Sequence, residues 1–338
     1  MKSGKELMQA TRPFVAEDLR RSWTSLFTCV AIVLALMVAI AMTPIWWVQL
    51  GLAVVLGLTQ IRLFIFYHDY LHGAILRRSR AAEWVMAVIG AFMLSVRSVW
   101  RETHNYHHKN NAKLIGSSIG SFPLVTTRMW RFMSPQQQLA YRVARHPIFI
   151  FGGYLTVFLL GMSFLPFKRD PKKHWEGPFA VVLHIASLVG VGLTFGWWVG
   201  FCIVVLPKII AFGMGSYLFY AQHNFPSIKL RERRQWDYNF AALNSSSMFE
   251  MSGLMHWFTG NIGFHHIHHL NHRIPFYNLP KAMEALPELQ VPGRTSWKPS
   301  DVAACLRCKL WDPKEQRMVG FRDVERASDV PLAAGAEA

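Results

Sequence analysis

The chain of 338 residues places its apolar residues in long uninterrupted blocks. Between Arg21 and Arg62 there is no charged residue, which leaves room for two helices of about 20 residues, the length that crosses the hydrocarbon core of a bilayer. Pro44 breaks this block near its middle because proline cannot continue a helix. Two more apolar blocks follow in the second half of the chain. The pattern predicts four transmembrane helices in two hairpins, over residues 24–45 and 48–67 and over residues 178–195 and 199–222.

Two other apolar segments are predicted to remain at the membrane surface. The segment Trp84–Val96 has 13 residues and is too short to span. Residues 147–167 are long enough, but a crossing there would put His223 on the opposite face from His68, and the glycine pair beginning at Gly152 permits a bend instead. We therefore predict an all-α integral membrane protein with four transmembrane helices, interfacial or re-entrant helices and a cytoplasmic histidine-rich cap.

Composition and charge also place the chain at a membrane. Hydrophobic residues make up 52% and charged residues only 17%, against about 25% charged in soluble domains, which excludes a purely soluble enzyme. The net charge of +16 comes from basic residues beside the apolar blocks, such as Arg77 and Arg78, as the positive-inside rule predicts for cytoplasmic loops. A nucleic-acid partner is therefore not expected. We divide the chain into a cytoplasmic N-terminal segment (1–23), a membrane domain (24–290) and a C-terminal cytoplasmic tail (291–338).

The spacing of the histidines points to a metal site. Fifteen histidines occur, and eight of them form three sets with helical spacing: His68 and His72; His104, His107 and His108; and His265, His268 and His269. Side chains spaced in this way share one face of a helix, and each set lies beside the cytoplasmic end of a predicted hairpin. Imidazole suits iron, copper, zinc and nickel, and eight imidazoles are too many for one ion. We expect two ions, with redox-capable iron the natural candidate.

The three sets read His-Asp-x-x-His, His-Asn-Tyr-His-His and His-His-Ile-His-His, and they resemble the histidine boxes of the membrane fatty acid desaturases. The likeness covers about residues 68–280. Around the second and third boxes, Trp100–His104 and Gly263–Pro280 are similar to the acyl-lipid omega-6/delta-12 branch. Inside the first box, Tyr70 and Leu71 are bulkier than is usual in that branch, which leaves chain length and double-bond position open.

The resemblance implies a di-iron centre at the cytoplasmic face, held by the eight box histidines. The family usually needs one more histidine between the second and third boxes, and His223, just past the last predicted span, is the candidate. The same resemblance implies an O2-dependent desaturase that introduces a cis double bond into an acyl chain of a membrane lipid or acyl thioester. Because the sequence has no dinucleotide fingerprint and no fused-cytochrome haem motif, the electrons must come from a separate donor of the ferredoxin or cytochrome type.

Several residues near the boxes are candidates for orienting the imidazoles. Asp69 adjoins the first ligand and can accept a hydrogen bond from the ring nitrogen that does not bind metal; the alternative is a solvated acid at a helix end. The same two interpretations apply to Glu102, Asn105, Asn261 and Asn271. His266 should project away from its neighbours and is excluded as a ligand, while His256 and His272 are interpreted as structural.

Two charged residues within apolar segments and one cysteine pair receive no role in this chemistry. Arg62 lies about 9 Å along its helix from His68, so we expect it to snorkel to the headgroups. Lys208 lies deeper in its span and receives no role. Cys305 and Cys308 form a lone C-x-x-C pair without the second pair of ligands that a zinc site needs.

Two other functions stay open. A hydroxylase or ketolase acting on a fatty acid, alkane, sphingolipid or carotenoid would use the same histidine boxes and differ only in its product. A non-enzymatic membrane metal-binding or transport protein would place its ligands near the bilayer midplane, whereas these histidines lie at the membrane edge. Identification of the lipid products separates the desaturase from the hydroxylase and ketolase.

Overall fold

The computed structural model describes residues 4–114 and 119–328. Its first elements are helix α1 (Gly4–Ala10), a 3-10 helix (Arg12–Val15), and the long helices α2 (Leu19–Met42) and α3 (Trp46–His72). The Asp18 carboxylate accepts a hydrogen bond from the Arg21 amide and caps the start of α2. Gly73 adopts a left-handed backbone with φ of 69°, which ends α3 directly after His72. The first histidine set therefore forms the last turn of α3.

A bent pair of helices follows the first hairpin. Helix α4 (Arg80–Phe92) and helix α5 (Arg97–Asn110) meet at an angle of 88° and together are long and apolar enough for a broken span. Helix α4 exposes Trp84 and Val88 four residues apart, as an interfacial helix does. Helix α5 carries the second histidine set. Two short helices, α6 (Thr127–Phe132) and α7 (Pro135–Ala144), come next.

The second hairpin is preceded by an interrupted helical segment. Helix α8 (Pro147–Phe151), a π-helix (Tyr154–Phe164) and helix α9 (Leu165–Arg169) cover the residues predicted to be re-entrant or interfacial. The hairpin consists of α10 (Glu176–Phe195), α11 (Trp197–Gly200), a π-helix (Phe201–Val205) and α12 (Leu206–His223). The path of the interrupted segment relative to a bilayer stays a prediction.

Four helical stretches are long and apolar enough to cross a membrane, as predicted: α2, α3, α10 and the continuous stretch Trp197–His223. In α3 and in Trp197–His223, 61% of the apolar window is buried, against 22% in α2 and 17% in α10. The first two are therefore the inner pair. They pack closely at Gly57, where a Cβ atom would lie 2.8 Å from Ile210 Cβ. Both inner helices end in histidines.

The remaining chain is built from short elements. They are α13 (Tyr238–Asn244), β1 (Met248–Glu250), α14 (Gly253–Phe258), α15 (His265–Leu270), α16 (Leu279–Ala285), β2 (Arg294–Ser296), α17 (Pro299–Arg307), β3 (Leu310–Asp312), β4 (Arg317–Val319) and α18 (Phe321–Ser328), with 3-10 helices at Arg233–Gln235, Phe276–Asn278 and Pro287–Leu289. Strand β1 pairs in parallel with β2, and β3 pairs antiparallel with β4. The fold is therefore mostly helical, with two small sheets that the sequence did not predict.

Both chain ends pack on the rest of the molecule in their described parts. Leu7 of α1 belongs to the same apolar cluster as Ile267 of α15, and the Asn271 amide donates to Thr11 Oγ1 at 2.9 Å. The segment predicted as a C-terminal tail contributes Cys305 and Cys308 to a second buried cluster. Residues 329–338 of that tail lie outside the described residues.

Candidate metal centre

Four helices bring the predicted ligands to one end of the inner pair. Helix α3 contributes the first set in its last turn, α5 the second set and α15 the third. His223 is the last residue of α12. Six of the eight box histidines have at most 4% of their surface exposed: His68, His107, His108, His265, His268 and His269. The sequence spacing therefore corresponds to side chains that point into the protein.

The nine predicted ligands form two groups of imidazoles. The five-histidine group contains His68, His72, His104, His108 and His268, and the four-histidine group contains His107, His223, His265 and His269. Within each group, the nitrogen atoms that can bind a metal all lie within 4.8 Å of one another. Neither group includes a carboxylate. The sequence predicted the set of residues and did not predict how it divides.

The nitrogens of the four-histidine group are close enough together to bind one ion. His223 Nε2 lies 2.9 Å from His265 Nε2, 3.1 Å from His107 Nε2 and 3.2 Å from His269 Nε2. His269 Nε2 is also close to His107 (3.2 Å) and His265 (3.1 Å), while His107 and His265 make no such contact among the described atoms. Imidazole binds metals at about 2.0–2.1 Å, so two imidazole nitrogens on one ion lie roughly 3–4 Å apart. The four nitrogens would therefore fit around a single ion.

The nitrogens of the five-histidine group also lie close enough together to bind a metal ion. His108 Nε2 lies 3.1 Å from both His104 Nε2 and His268 Nε2. Neither ring nitrogen of the buried His72 has a hydrogen-bond partner within the described part of the chain. Burying a polar nitrogen without a partner is costly, and a bound cation would remove that cost. The donor set therefore fits a metal ion here as well.

Burial keeps these imidazoles in the form that metals need. Desolvation lowers the pKa well below its ordinary value for the ligand candidates on α5 and α15: His104, His107, His108, His265, His268 and His269. The neighbouring imidazoles lower it further. At neutral pH the rings are uncharged, and a neutral imidazole has a free lone pair for coordination.

Comparison with known proteins identifies the family. A model of the fatty acid desaturase family matches residues 44–299, a range that contains all nine histidines. The chain belongs to the fatty acid desaturase family. This confirms the resemblance that the three boxes indicated.

Individual relatives of the desaturase agree with that result. A fatty acid desaturase of Bacillus subtilis (strain 168) is 30% identical over 278 residues, which cover 82% of this chain and 78% of the relative. An sn-1 oleoyl-lipid 12-desaturase of a Picosynechococcus species is 22% identical over 89% of this chain and 87% of its own length. An sn-1 acyl-lipid omega-3 desaturase (ferredoxin) of a Nostoc species is 26% identical over 72% of this chain and 67% of its own length.

Asp69 is the acid that contacts a ligand candidate of the desaturase. Its Oδ1 lies 3.0 Å from His68 Nδ1, and its Oδ2 accepts a hydrogen bond of 2.7 Å from the Phe276 amide. The Asn261 side chain donates to the Phe276 carbonyl at 3.1 Å. The Phe276 peptide is thus held on both sides, which ties the loop after the third box to the first box.

The other candidates for orienting the imidazoles contact different groups. Glu102 is about half exposed and pairs with Lys173, and its second oxygen lies 3.9 Å from His174 Nε2. Asn105 makes no hydrogen bond to a histidine within the described residues. Asn271, as noted above, bonds to the N-terminal segment. His266 belongs to neither group, and its Nε2 lies 2.9 Å from the Leu289 carbonyl oxygen.

One histidine next to the site was undervalued from the sequence. The ring centroid of His272 lies 4.8 Å from that of His72 and 5.2 Å from that of His108. Its position four residues after His268 was the available signal. The signal is weak because α15 ends at Leu270, so helical spacing does not apply beyond that point.

The two membrane charges of the desaturase have protein partners. Arg62 is buried, donates to the Trp257 carbonyl and lies 4.5 Å from the Trp257 ring centroid. The prediction that Arg62 snorkels to the headgroups is therefore wrong, because α14 lies within its reach. Lys208 is 1% exposed, donates to Gln60 Oε1 at 2.9 Å and lies 3.5 Å from the Phe92 ring centroid.

The cysteine pair is part of the packed interior. Cys305 and Cys308 are buried, and neither belongs to a metal group among the described residues. Burial raises the pKa of Cys305 to about 12 and that of Cys308 to about 11. Both are therefore protonated thiols at neutral pH, without the reactivity of a thiolate.

Proposed function

We propose that this desaturase binds two iron ions and uses dioxygen to introduce a cis double bond into an acyl chain, most simply the chain of a membrane lipid. The reaction converts –CH2–CH2–, O2, two electrons and two protons into –CH=CH– and two molecules of water. The observation that carries the proposal is the pair of buried, all-imidazole groups. When bound, the iron ions supply the activation of dioxygen and the oxidation of the methylenes.

The residues of the chain hold, orient and isolate the metals. The five-histidine group holds one ion and the four-histidine group the other. Asp69 accepts a hydrogen bond from His68 Nδ1, which keeps the proton on that nitrogen and leaves Nε2 free for the metal. Burial of the imidazoles limits the access of bulk water to the reacting centre. A cavity of about 30 Å³ borders the four-histidine group at His107, His223 and Phe219, which is room for a small molecule such as water.

The proposed substrate class and electron source agree with the position of the site. The histidines lie at the ends of two membrane-type helices, where the acyl chain of a bilayer lipid is within reach. Two relatives are named as acyl-lipid desaturases, and the name of one specifies ferredoxin. An external carrier protein of the ferredoxin or cytochrome type would supply the two electrons.

The active site is proposed to face the cytoplasm. The N-terminal segment, with Lys5, Arg12 and Arg20, packs against α15 and so lies on the same side as the third box. Basic segments next to membrane helices are retained in the cytoplasm by the positive-inside rule. The protein is accordingly a multi-pass membrane enzyme with its metals near the inner surface.

Expression in a host that lacks polyunsaturated lipids tests the proposal directly. Total fatty acids are analysed by gas chromatography with mass detection, and iron is measured on the purified protein. We expect a new double bond from the wild type and about two irons per chain. His268→Ala should abolish the product, because it removes a ligand of the five-histidine group.

His266→Gln is the matched control. His266 lies on the same helix and is 1% exposed, but it belongs to neither group, and glutamine can keep a hydrogen bond to the Leu289 carbonyl. This variant should retain both iron and product. An oxygenated acyl product from the iron-loaded wild type would show that the protein is a hydroxylase or ketolase and not a desaturase. Protein that binds no iron would contradict the metal assignment.

A further inference from the structure

His272 lies against the five-histidine group without belonging to it. Its ring is in contact distance of the rings of His72 and His108, yet its nitrogens are not among those of the five-histidine group. Its Nδ1 is buried and has no hydrogen-bond partner within the described residues. His272 is therefore an aromatic neighbour of two proposed ligands and leaves one ring nitrogen unpaired.

The same residue reaches the protein surface between two cations. His272 is only partly buried, and the side chains of Lys109 and Arg273 beside it are exposed. Burial, together with the nearby charges of Arg273 and Lys109, lowers the pKa of His272 to about 4. No carboxylate contributes at this position, and neither cation forms a salt bridge within the part of the chain that the structure describes. The surface around His272 thus carries two positive charges that no carboxylate of the described residues neutralises.

We propose that Lys109, Arg273 and His272 form the contact site for an acidic one-electron carrier protein, and that electrons enter the metal centre through His272. The inference rests on the proposed function, which consumes two electrons for each double bond. In each transfer the redox centre of the carrier is oxidised by one electron and the metal site is reduced by one. Two transfers, two protons, one dioxygen and the two hydrogens removed from the acyl chain balance the two waters released.

Two physical arguments support this assignment. Electron transfer needs a short path, and the His272 ring bridges from the surface to two ligand rings in a single step. Positive charge around the entry point attracts a negatively charged carrier and accelerates encounter. The two exposed cations would bind the carrier protein, and the adjacent His272 ring would pass the electron to the ligand rings.

The recognition half is tested by charge reversal. Iron-loaded full-length protein in lipid nanodiscs is mixed anaerobically with a reduced acidic [2Fe–2S] ferredoxin, and ferredoxin oxidation is followed by stopped-flow absorbance at several salt concentrations. The Lys109→Glu/Arg273→Glu variant should be slower by about tenfold or more at low salt, with a weaker salt dependence. Arg131→Glu/Lys281→Glu changes the net charge equally at two other exposed cations and should stay within about twofold of the wild type.

The conduction half is tested at His272 itself. His272→Ala should lower the limiting rate at saturating ferredoxin, while leaving iron content, the electrons accepted from excess dithionite and the salt dependence unchanged. His272→Phe keeps an aromatic ring against His72 and His108 and should restore most of the rate. If the alanine variant loses iron, the phenylalanine and charge-reversal variants still decide the question.

Several results would overturn the inference. These are a wild type that does not oxidise ferredoxin, charge-reversed protein as fast as wild type, a control pair slowed equally, or an iron-replete His272→Ala variant with an unchanged limiting rate. The assay contains neither oxygen nor acyl substrate, so it is separate from the test of the proposed function. Ferredoxin oxidation without any double bond would remove the proposed function alone. Double bonds from wild type, with no effect of charge reversal, would remove the inference alone.

Discussion

At the scale of single residues, each oxygen of the Asp69 carboxylate has its own partner. One oxygen faces the His68 ring nitrogen and the other accepts from the Phe276 amide, so both are committed. A neutral amide at this position can accept only with its oxygen, and its NH2 group would then face a donor. The residue is therefore sensitive to a change of a single atom.

Asp69→Asn should weaken iron binding or activity by about tenfold to a hundredfold, the usual effect of losing a residue that orients a metal ligand. The measurement is iron bound per chain after dialysis, together with product yield. Glu102→Gln is the control, because Glu102 adjoins the second box in sequence but pairs with Lys173. Equal iron and product in both variants would contradict the role assigned to Asp69.

At the scale of elements, the two histidine groups depend on how four helices are packed. The five-histidine group draws on α3, α5 and α15, and the four-histidine group on α5, α12 and α15. Helices α5 and α15 thus serve both groups, whereas α3 and α12 each serve one. The inner helices pack closely at Gly57, and this contact helps to position the histidines that α3 and α12 carry.

Gly57→Leu should force the inner helices apart, because any Cβ at this position would lie within 3.0 Å of atoms of Ile210 and Pro207. Overpacking of this kind costs about 1–3 kcal/mol, so we expect a lower melting temperature in detergent and reduced iron content. Gly51→Leu is the matched control on the same helix, where no atom lies within 4 Å of the added Cβ. Identical melting and iron content in the two variants would show that the inner contact does not hold the site.

At the scale of the whole molecule, the question is which side of the membrane carries the metals. The outer turns, which are the turns of the two hairpins at the ends opposite the histidines, are linked by a hydrogen bond of 2.8 Å from Trp198 Nε1 to Gln49 Oε1. The histidines lie at the other ends of the same helices. All four native cysteines are buried, so an added surface cysteine can report topology with little background.

Val291→Cys, at a residue 82% exposed on the histidine side, should react with a membrane-impermeant maleimide only after the cells are permeabilised. Pro44→Cys, in the exposed outer turn, should react in intact cells. The physical reason is the basic N-terminal segment, which the positive-inside rule predicts to be cytoplasmic and which packs against the third box. The opposite labelling pattern would place the active site outside and would contradict the proposed orientation.

Hydrophobic blocks predicted the four membrane-type helices, and histidine spacing predicted eight of the nine histidines that the structure brings together. The resemblance of the three boxes to the desaturases supplied the family and His223. These features are local: a span is defined by about 20 neighbouring residues, and a shared helix face by residues three or four apart. The first box was nevertheless placed just beyond its helix, whereas α3 continues to His72. The glycine that ends α3 is visible in the sequence, but helix ends depend on backbone conformation, which hydropathy does not report.

Only the tertiary structure decided which imidazoles belong together and what the isolated charges contact. The division into five and four histidines separates His107 from its neighbour His108, because adjacent positions on a helix point in different directions. Arg62 meets Trp257, 195 positions later in the chain, and Asp69 meets Phe276 across 207 positions. Such partners carry no signal in a single sequence, since their proximity depends on how whole helices pack. The sequence by itself therefore determined the chemistry available at the membrane surface, and the packing determined how that chemistry is arranged.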